Sequence, residues 1–473
     1  MGKHHVDLKT LLWDITSKCN LRCIHCYNTV KYPRTGIKNE LTTEEAKEAI
    51  EKISKFGFRH IHLLGGEPLV RHDLFELIEY ARNYEMEVTI NSNGILLNVD
   101  KIKRLIELGV SQFVFSLDGA TEEVNDKIRG KGTFQRVIKN IKLFKEIKEE
   151  YQSPIKIGIA FTLTKYNLHQ MDKLVGLAIQ LGIDALGVMD LYISGDALTN
   201  RDNLYYSDEE RIFAYEELAK SCWKNRDKLH DVTIQIDTLP SLGEYLNKKY
   251  DLDLAIHPRN VGCGAGTIHW LMEADGTLHP CGMADNPFYN TKPIQNGLLK
   301  LEDINIKNVT SVEEVLNSEY FLSFLEFKEK FGRANRSPCV LCSFRDTCIQ
   351  CPFRYYNQIN VRECQEVVKQ KLRFIQSIKN RRFHINNDKI LTKNGALYVY
   401  DPIFRKYKQV NHTGELVIKK IEEGMTPENI AEWLVAELES EGLDKRVVLE
   451  DICFFVNNLS LMGILQQKGG DAA

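Results

Sequence analysis

The 473-residue sequence lacks a strong charge of either sign: 62 Lys and Arg stand against 65 Asp and Glu, for a formal net charge of −3. Nothing in the bulk composition therefore draws it to nucleic acid or to an acidic membrane. It also lacks any apolar run long enough to span a bilayer. Its first residues, Met1-Gly2-Lys3-His4-His5, lack the apolar core of a secretion signal. These absences predict a cytoplasmic protein with no membrane and no nucleic acid among its partners. What remains is an ordinary globular composition, 43% hydrophobic, with length for about two to four domains.

Twelve cysteines are present. In a large chain without a secretion signal, that number points to metal binding rather than to disulfides. Their distribution agrees. Cys19, Cys23 and Cys26 lie near the start, seven more lie from Cys263 to Cys364, and only Cys222 and Cys453 stand apart. The first group occupies Cys19-Asn20-Leu21-Arg22-Cys23-Ile24-His25-Cys26, a C-x-x-x-C-x-x-C loop. Thiolates are the usual ligands of iron–sulfur clusters. Three of them hold three corners of a four-iron cube and leave one iron open to a substrate or cofactor. A zinc loop is the alternative, but structural zinc wants four protein ligands and usually paired C-x-x-C units.

Residues 9 to 191 alternate strand-like and helix-like runs. Leu8 to Ile15, Ile61 to Leu64, Val88 to Asn91, Gln112 to Leu117, Ile155 to Leu163 and Ala185 to Leu191 read as strands. The run from Gln112 is apolar enough to predict burial on both faces. Helices are predicted between them, the first capped at Thr42 or Thr43 and a later one stopped by Gly109. Six β/α repeats predict an α/β fold, a partial (β/α)6 TIM-like barrel with helices outside. In such sheets the site lies at the carboxyl ends of the strands. The cysteine loop follows strand one, Gly65-Gly66-Glu67-Pro68 strand two, Asn91-Ser92-Asn93-Gly94 strand three, and Ser116-Leu117-Asp118-Gly119 strand four. Each alone is an ordinary turn sequence. Their occurrence in order at successive strand ends is the signal.

The cysteine loop resembles the signature of the radical S-adenosylmethionine (SAM) enzymes. The resemblance implies that the open iron chelates the amino and carboxylate groups of SAM, and that the reduced cluster splits SAM to methionine and a 5′-deoxyadenosyl radical. It implies that Gly65, Gly66 and Glu67 bind the methionine amino group through their backbone, and that Ser116 lies near the SAM carboxylate. Arg129, in Asp126-Lys127-Ile128-Arg129-Gly130, matches an arginine that pairs with that carboxylate, for which a guanidinium offers two parallel hydrogen bonds. His25 matches a ring position near adenine, and Asn93 and Asp118 complete the expected cofactor contacts. The alternatives are a surface ion pair for Arg129 and a solvated loop residue for His25.

The later cysteines, Cys263, Cys281, Cys339, Cys342, Cys348, Cys351 and Cys364, include several at C-x-x-C spacing, for which zinc knuckles are the competing reading. The pattern resembles the SPASM extension of radical SAM enzymes, which carries two auxiliary Fe–S clusters, expected as [4Fe–4S]. By that resemblance Cys339, Cys342, Cys348 and Cys364 hold the distal cluster, and Cys263, Cys281 and Cys351 the nearer one. Two departures stand out. The gap before Cys351 is two residues, Ile349 and Gln350, where three are usual. No cysteine lies between Leu229 and Val261 to complete the nearer cluster. That leaves an open iron, a non-cysteine ligand such as His257, or a smaller cluster. Around Asp275-Gly276 a hairpin is predicted that brings Cys263 and Cys281 together. Cys222 and Cys453 are read as packing.

A Lys- and Arg-rich stretch near residues 366 to 384 reads as a solvated linking helix or, less simply, as a surface for an acidic partner. Beyond it, three short strands (Lys389 to Thr392, Ala396 to Tyr400, Tyr407 to Val410) and three helices (His412 to Glu422, Thr426 to Leu438, Asp444 to Met462) predict a winged-helix-like α+β module. Its many glutamates disfavour DNA. Val410-Asn411-His412-Thr413-Gly414-Glu415 and Glu423-Gly424-Met425-Thr426 resemble the leader-peptide recognition element of ribosomal-peptide pathways. That resemblance implies a leader peptide added as a strand to the module's sheet edge.

The expected domains are a radical SAM partial barrel (1–194), a bridge (195–262), a SPASM domain (263–365), a linker helix (366–388) and a recognition domain (389–467). The expected function is a radical SAM peptide maturase. It would abstract hydrogen from a precursor-peptide residue to form a thioether, C–C or C–O cross-link, with electrons from a flavodoxin or ferredoxin. The alternatives are a dehydrogenase or decarboxylase acting on a protein side chain or cofactor precursor, and, from another class, a redox-sensing DNA-binding regulator.

Overall fold

A computed structural model describes residues 7–32, 36–37, 39–256, 263–332, 351–357, 359–437 and 444–468. The chain forms two compact units. One comprises residues 1–214, 231–240 and 254–363, the other 215–230, 241–253 and 364–473.

The first unit is built on a ten-stranded sheet in the order β10-β9-β1-β2-β3-β4-β5-β6-β7-β8. The strands are β1 Thr10–Asp14, β2 His60–Leu64, β3 Glu87–Ser92, β4 Gln112–Ser116, β5 Lys156–Thr162, β6 Ala185–Met189, β7 Thr233–Asp237, β8 Ala255–Ile256, β9 His269–Met272 and β10 Leu278–His279. Neighbours from β1 through β8 pair in parallel, as connecting helices require. β9 adds in parallel to the other side of β1, and β10 returns antiparallel to β9. The two end strands do not pair, so the barrel stays open.

Sequence explains the local elements. Thr42 accepts a hydrogen bond from Glu45 N while the Glu45 side chain returns to Thr42 N, closing a capping box on helix Thr43–Lys55. Helix Leu74–Asn83 buries Leu74, Leu77, Ile78 and Ala81, one stripe at helical spacing. Trp270 of β9 is fully buried, edge-on to Phe58 at 5.2 Å and to Phe321 at 4.9 Å between ring centres. Such pairs add about 1 kcal/mol each beyond burial.

Three expectations change. β4 is not buried on both faces. Phe113 and Phe115 are fully buried, whereas Gln112, Val114 and Ser116 on the inner face of the open barrel are half-buried, and Ser116 lines a cavity. The bridge does not stand apart, since β7 and β8 continue the sheet in register from Ala185↔Thr233. The predicted linker begins earlier, as part of helix Ile359–Ile378. The hairpin is present: Met272 faces Leu278, and Gly276 takes φ +93°, where a side chain would also press on Ile306.

In the second unit, β11 Phe383–Ile385 pairs with β15 Leu465–Gln467. β12 Ile390–Lys393, β13 Ala396–Asp401 and β14 Lys406–Gln409 form an antiparallel sheet. Helices His412–Glu422, Pro427–Glu437 and Lys445–Leu461 follow. Asp401, fully buried, meets Arg226 at 2.5 Å and Lys408 at 3.1 Å. Cys222 and Cys453 are buried here.

Candidate active site

β1 ends at Asp14 and releases the chain into the cysteine loop. Other segments then hold that loop by its backbone. Glu40 accepts from Thr16 Oγ1 (3.1 Å), from Ser17 N (2.8 Å) and from the Ser17 hydroxyl. Gly66 N donates to Thr16 O and Glu67 N to Lys18 O, both at 2.8 Å. A Cβ on Gly65 would sit 2.4 Å from Thr16 O, and one on Gly66 would sit 2.1 Å from Lys18 O. These two glycines are thus required by the close approach of two backbones. Arg71 Nη1 donates to Ile15 O at 2.8 Å. Ile24 N donates to Ile128 O, and Asp196 N to Cys26 O.

The loops after β2 and β3 are joined through Glu67. Its carboxylate, 1% exposed, accepts from Ser92 Oγ (2.6 Å), Asn93 N (2.7 Å) and Leu69 N (3.1 Å). Burial pushes this carboxyl up, against the pull of those donors and of Arg129. Asn93 Nδ2 donates to Asn20 Oδ1 in the cysteine loop at 2.8 Å.

Asp118, fully buried, meets His25 Nε2 at 3.0 Å and Arg129 Nε at 2.5 Å, and accepts from Thr162 N at 2.7 Å. Burial alone would raise its carboxyl, but the charges of Arg129 and His25 and these hydrogen bonds overcome it and hold the group well below the usual range. Asp118 was expected among the cofactor contacts. It instead lies behind the cavity wall, where it fixes His25 and Arg129, both of which line the cavity.

That cavity, about 550 Å³, falls in the range of small-molecule and cofactor sites. Gly65, Gly66, Glu67, Asn93 and Ser116 line it with His25 and Arg129, as do Cys19, Cys23 and Cys26. Cys263, Cys281 and Cys351 line the same cavity. They come from the segment before β9, the segment after β10, and the residue before helix Pro352–Tyr356. Burial raises all six thiols, Cys23 and Cys351 to about 12. They become thiolates when a bound cation displaces their protons.

Among the described residues, neither triad gathers its three sulfurs within 4.8 Å of one another. Tetrahedral zinc, with Zn–S near 2.3 Å, would need sulfurs about 4 Å apart. The wider spacing on a cavity wall fits a cluster. Cys339, Cys342 and Cys348, together with His257, lie outside the described residues, and Cys364 is buried on helix Ile359–Ile378. The one group of described ligand atoms that does fall within 4.8 Å is Glu273, His279 and Asp285. The Lys31 ammonium already supplies a cation there, 2.7 Å from Glu273 and 3.8 Å from Asp285.

Sequence reasoning missed Asp14, Lys31, Glu40 and Glu273. Asp14 carried a signal, since a carboxylate closed an otherwise apolar strand just before the cysteine loop. The partners of the other three are set by tertiary packing.

An open parallel β/α barrel, with three thiols on the loop after its first strand and a cofactor-sized cavity over its strand ends, defines an iron–sulfur enzyme of the SAM-cleaving type. Residues 13–178 match the model of the Radical SAM superfamily. The Fe-coproporphyrin III synthase of Methanosarcina barkeri is 39% identical over 353 residues, covering 72% of this chain and 81% of that protein. The mycofactocin maturase MftC of Mycolicibacterium smegmatis is 26% identical over 340 residues, covering 72% and 76%. The structure of Streptococcus suis SuiB bound to S-adenosylmethionine aligns with a TM-score of 0.54 at 18% identity, covering 75% of each chain. SuiB bound to its precursor peptide SuiA gives 0.52 at 18%, covering 75% of this chain and 73% of that one. The chain belongs to the radical SAM superfamily and is an enzyme of that class. Membership implies a four-iron cluster and SAM, and the site's donor set fits both. No described helix is long and apolar enough to cross a membrane.

Proposed function

We propose that this enzyme is a peptide maturase that modifies a ribosomally made precursor bound by its leader. The observation that carries the reading is the three-stranded sheet of the second unit. β14 pairs only with β13 among the described residues, so its outer edge offers the unpaired backbone groups that strand addition uses. The resemblance to MftC and to peptide-binding SuiB supports it.

Cys19, Cys23 and Cys26 hold the SAM-binding cluster, which when bound supplies the electron that cleaves SAM to the deoxyadenosyl radical. Arg129, held by Asp118, offers its guanidinium to the SAM carboxylate, beside Ser116. Gly65, Gly66 and Glu67 shape the amino-group side, with Asn93 bracing the loop, and His25 faces the adenine. Cys263, Cys281 and Cys351 hold an auxiliary cluster, and Cys339, Cys342, Cys348 and Cys364 a second. The product is a thioether, C–C or C–O cross-link, and a flavodoxin or ferredoxin supplies electrons in a cytoplasmic setting.

A second reading has its own support. The 39% identity to Fe-coproporphyrin III synthase favours a tetrapyrrole precursor as substrate. Reconstituted anaerobic protein should be incubated with SAM, reductant and either a candidate precursor peptide with its leader or an iron tetrapyrrole precursor of Fe-coproporphyrin III, then followed by mass spectrometry. Peptide mass loss that requires the leader supports the first reading. Conversion of the tetrapyrrole precursor with an unchanged peptide overturns it in favour of the second.

A further inference from the structure

Asp14 is the last residue of β1, 2% exposed, and lines the cavity beside the cysteine loop. Its Oδ2 accepts from Tyr32 Oη at 3.0 Å. Its Oδ1 is buried and has no hydrogen bond within 3.5 Å among the described residues, although the Asn28 side chain acts on the carboxylate as a donor. Asn28 stands next to it, 5% exposed and on the same wall. Asn28 Nδ2 donates to Gly65 O at 3.0 Å, and Asn28 Oδ1 is likewise buried without a donor. Two acceptors, nearly sealed from solvent, thus meet at one end of a cavity. Such groups are costly to leave unmatched, and native proteins nearly always pair them.

The charges around them have a sign. Lys31, Glu273, Tyr27 and Tyr32 act directly on Asp14, and Asp285 and His279 complete the cluster through Glu273 and Lys31. Three carboxyls, Asp14, Glu273 and Asp285, share the Lys31 ammonium, which sits 2.7 Å from Glu273 and 3.8 Å from Asp285, while Asp14 has no ion pair within 4 Å among the described residues.

We propose that Asp14, assisted by Asn28, binds a nitrogen-borne hydrogen-bond donor of the substrate, preferably a cationic one such as an ammonium or guanidinium. The inference deepens the proposed function by naming the chemistry of the group presented to the cavity, and it rests on that reading for the substrate's identity. Burial, opposed mainly by Lys31, pushes the Asp14 carboxyl up to about 6. The site therefore acquires its full negative charge only as pH rises past that value, and cation binding should strengthen over the same interval.

The test uses full-length protein with its clusters reconstituted, and n-butylammonium as probe with 1-butanol as its neutral match in size. Calorimetric titration at pH 8 should show the ammonium binding about tenfold or more tightly than the alcohol, as a charge-assisted hydrogen bond implies. The preference should shrink at pH 5, vanish in Asp14→Asn and persist in Asp14→Glu. Equal binding of the two probes by the wild type, or a preference unchanged in Asp14→Asn, overturns the inference. Should Asp14→Asn misfold, as judged by iron content and circular dichroism, the wild-type pH dependence decides, and a preference that does not change with pH overturns it. The precursor-peptide assay is independent. A cation preference without peptide conversion removes the proposed substrate and leaves the site.

Discussion

The two cysteine triads on the cavity wall are built in opposite ways. Cys19, Cys23 and Cys26 lie within one short loop, so their chain separation closes the site almost by itself. Cys263, Cys281 and Cys351 come from three segments, and the meeting of the first two depends on β9 pairing with β1 and β10 returning on β9. Closing a long loop costs more entropy than closing a short one, so the second triad is held by the fold rather than by its spacing. Yet the local triad is not self-sufficient either. Glu40, Gly66, Glu67 and Arg71 fix its backbone from outside. The contrast teaches that a motif's spacing brings its ligands close, while tertiary contacts determine which way they face.

Cysteine removal should break the comparison most sharply. Cys19→Ser should abolish deoxyadenosine formation to background and remove roughly four iron atoms per chain. Cys281→Ser should lower iron by a similar amount while the paramagnetic-resonance signal of the cluster on the first triad still shifts on adding SAM. A Cys281→Ser protein whose signal no longer responds to SAM would mean that the two triads form one site.

Gly66→Ala should have the next largest effect. A Cβ 2.1 Å from Lys18 O forces backbone movement, at a cost of about 3 kcal/mol or more. Iron should be lost from the first triad and retained by the second, measured on the variant combined with Cys281→Ser and on Gly66→Ala alone. Full iron in both would show that the loop does not need its outside supports.

Asp14→Asn should have the smallest effect, and of opposite sign. The native carboxyl is raised from 3.8 to about 6, so folding favours its protonated form. Its contribution is most favourable below the unfolded value and is lost as pH rises toward 6. At pH 8 the neutral variant should be more stable by about 2–3 kcal/mol, and at pH 5 by about half of that. Thermal melts at the two pH values check it. A variant less stable than wild type at pH 8 would show that Asp14 already has an ionic partner.

Much of this was legible because some signals are local. The strand ranges of the β/α repeats, the capping box at Thr42 and the stop at Gly109 depend on residues close in sequence. The second unit's three strands and three helices follow their hydrophobic patterns to within a residue or two. The misreadings came from context. Val114 looks like core by composition, but it stays only half-buried on the inner face of an open barrel. Thr233–Asp237 lies in the stretch expected as a bridge, but it continues a sheet begun more than two hundred residues earlier. Asp118 sits in a strand-end motif, yet its depth makes it a support for His25 and Arg129 rather than a wall residue.

By itself the sequence determined the parallel β/α frame, the three-thiol loop and the Gly65-Gly66 turn after strand two, since periodicity and short spacing act within a few residues. Only the tertiary structure decided that Cys263, Cys281 and Cys351 share a cavity with that loop, and that Asp118 pairs with His25 and Arg129. It alone decided that Asp14 is left with an open acceptor. The physical reason is common to all three. A charge or thiol buried among distant segments takes its character from what the fold brings against it, and no local pattern encodes that neighbourhood.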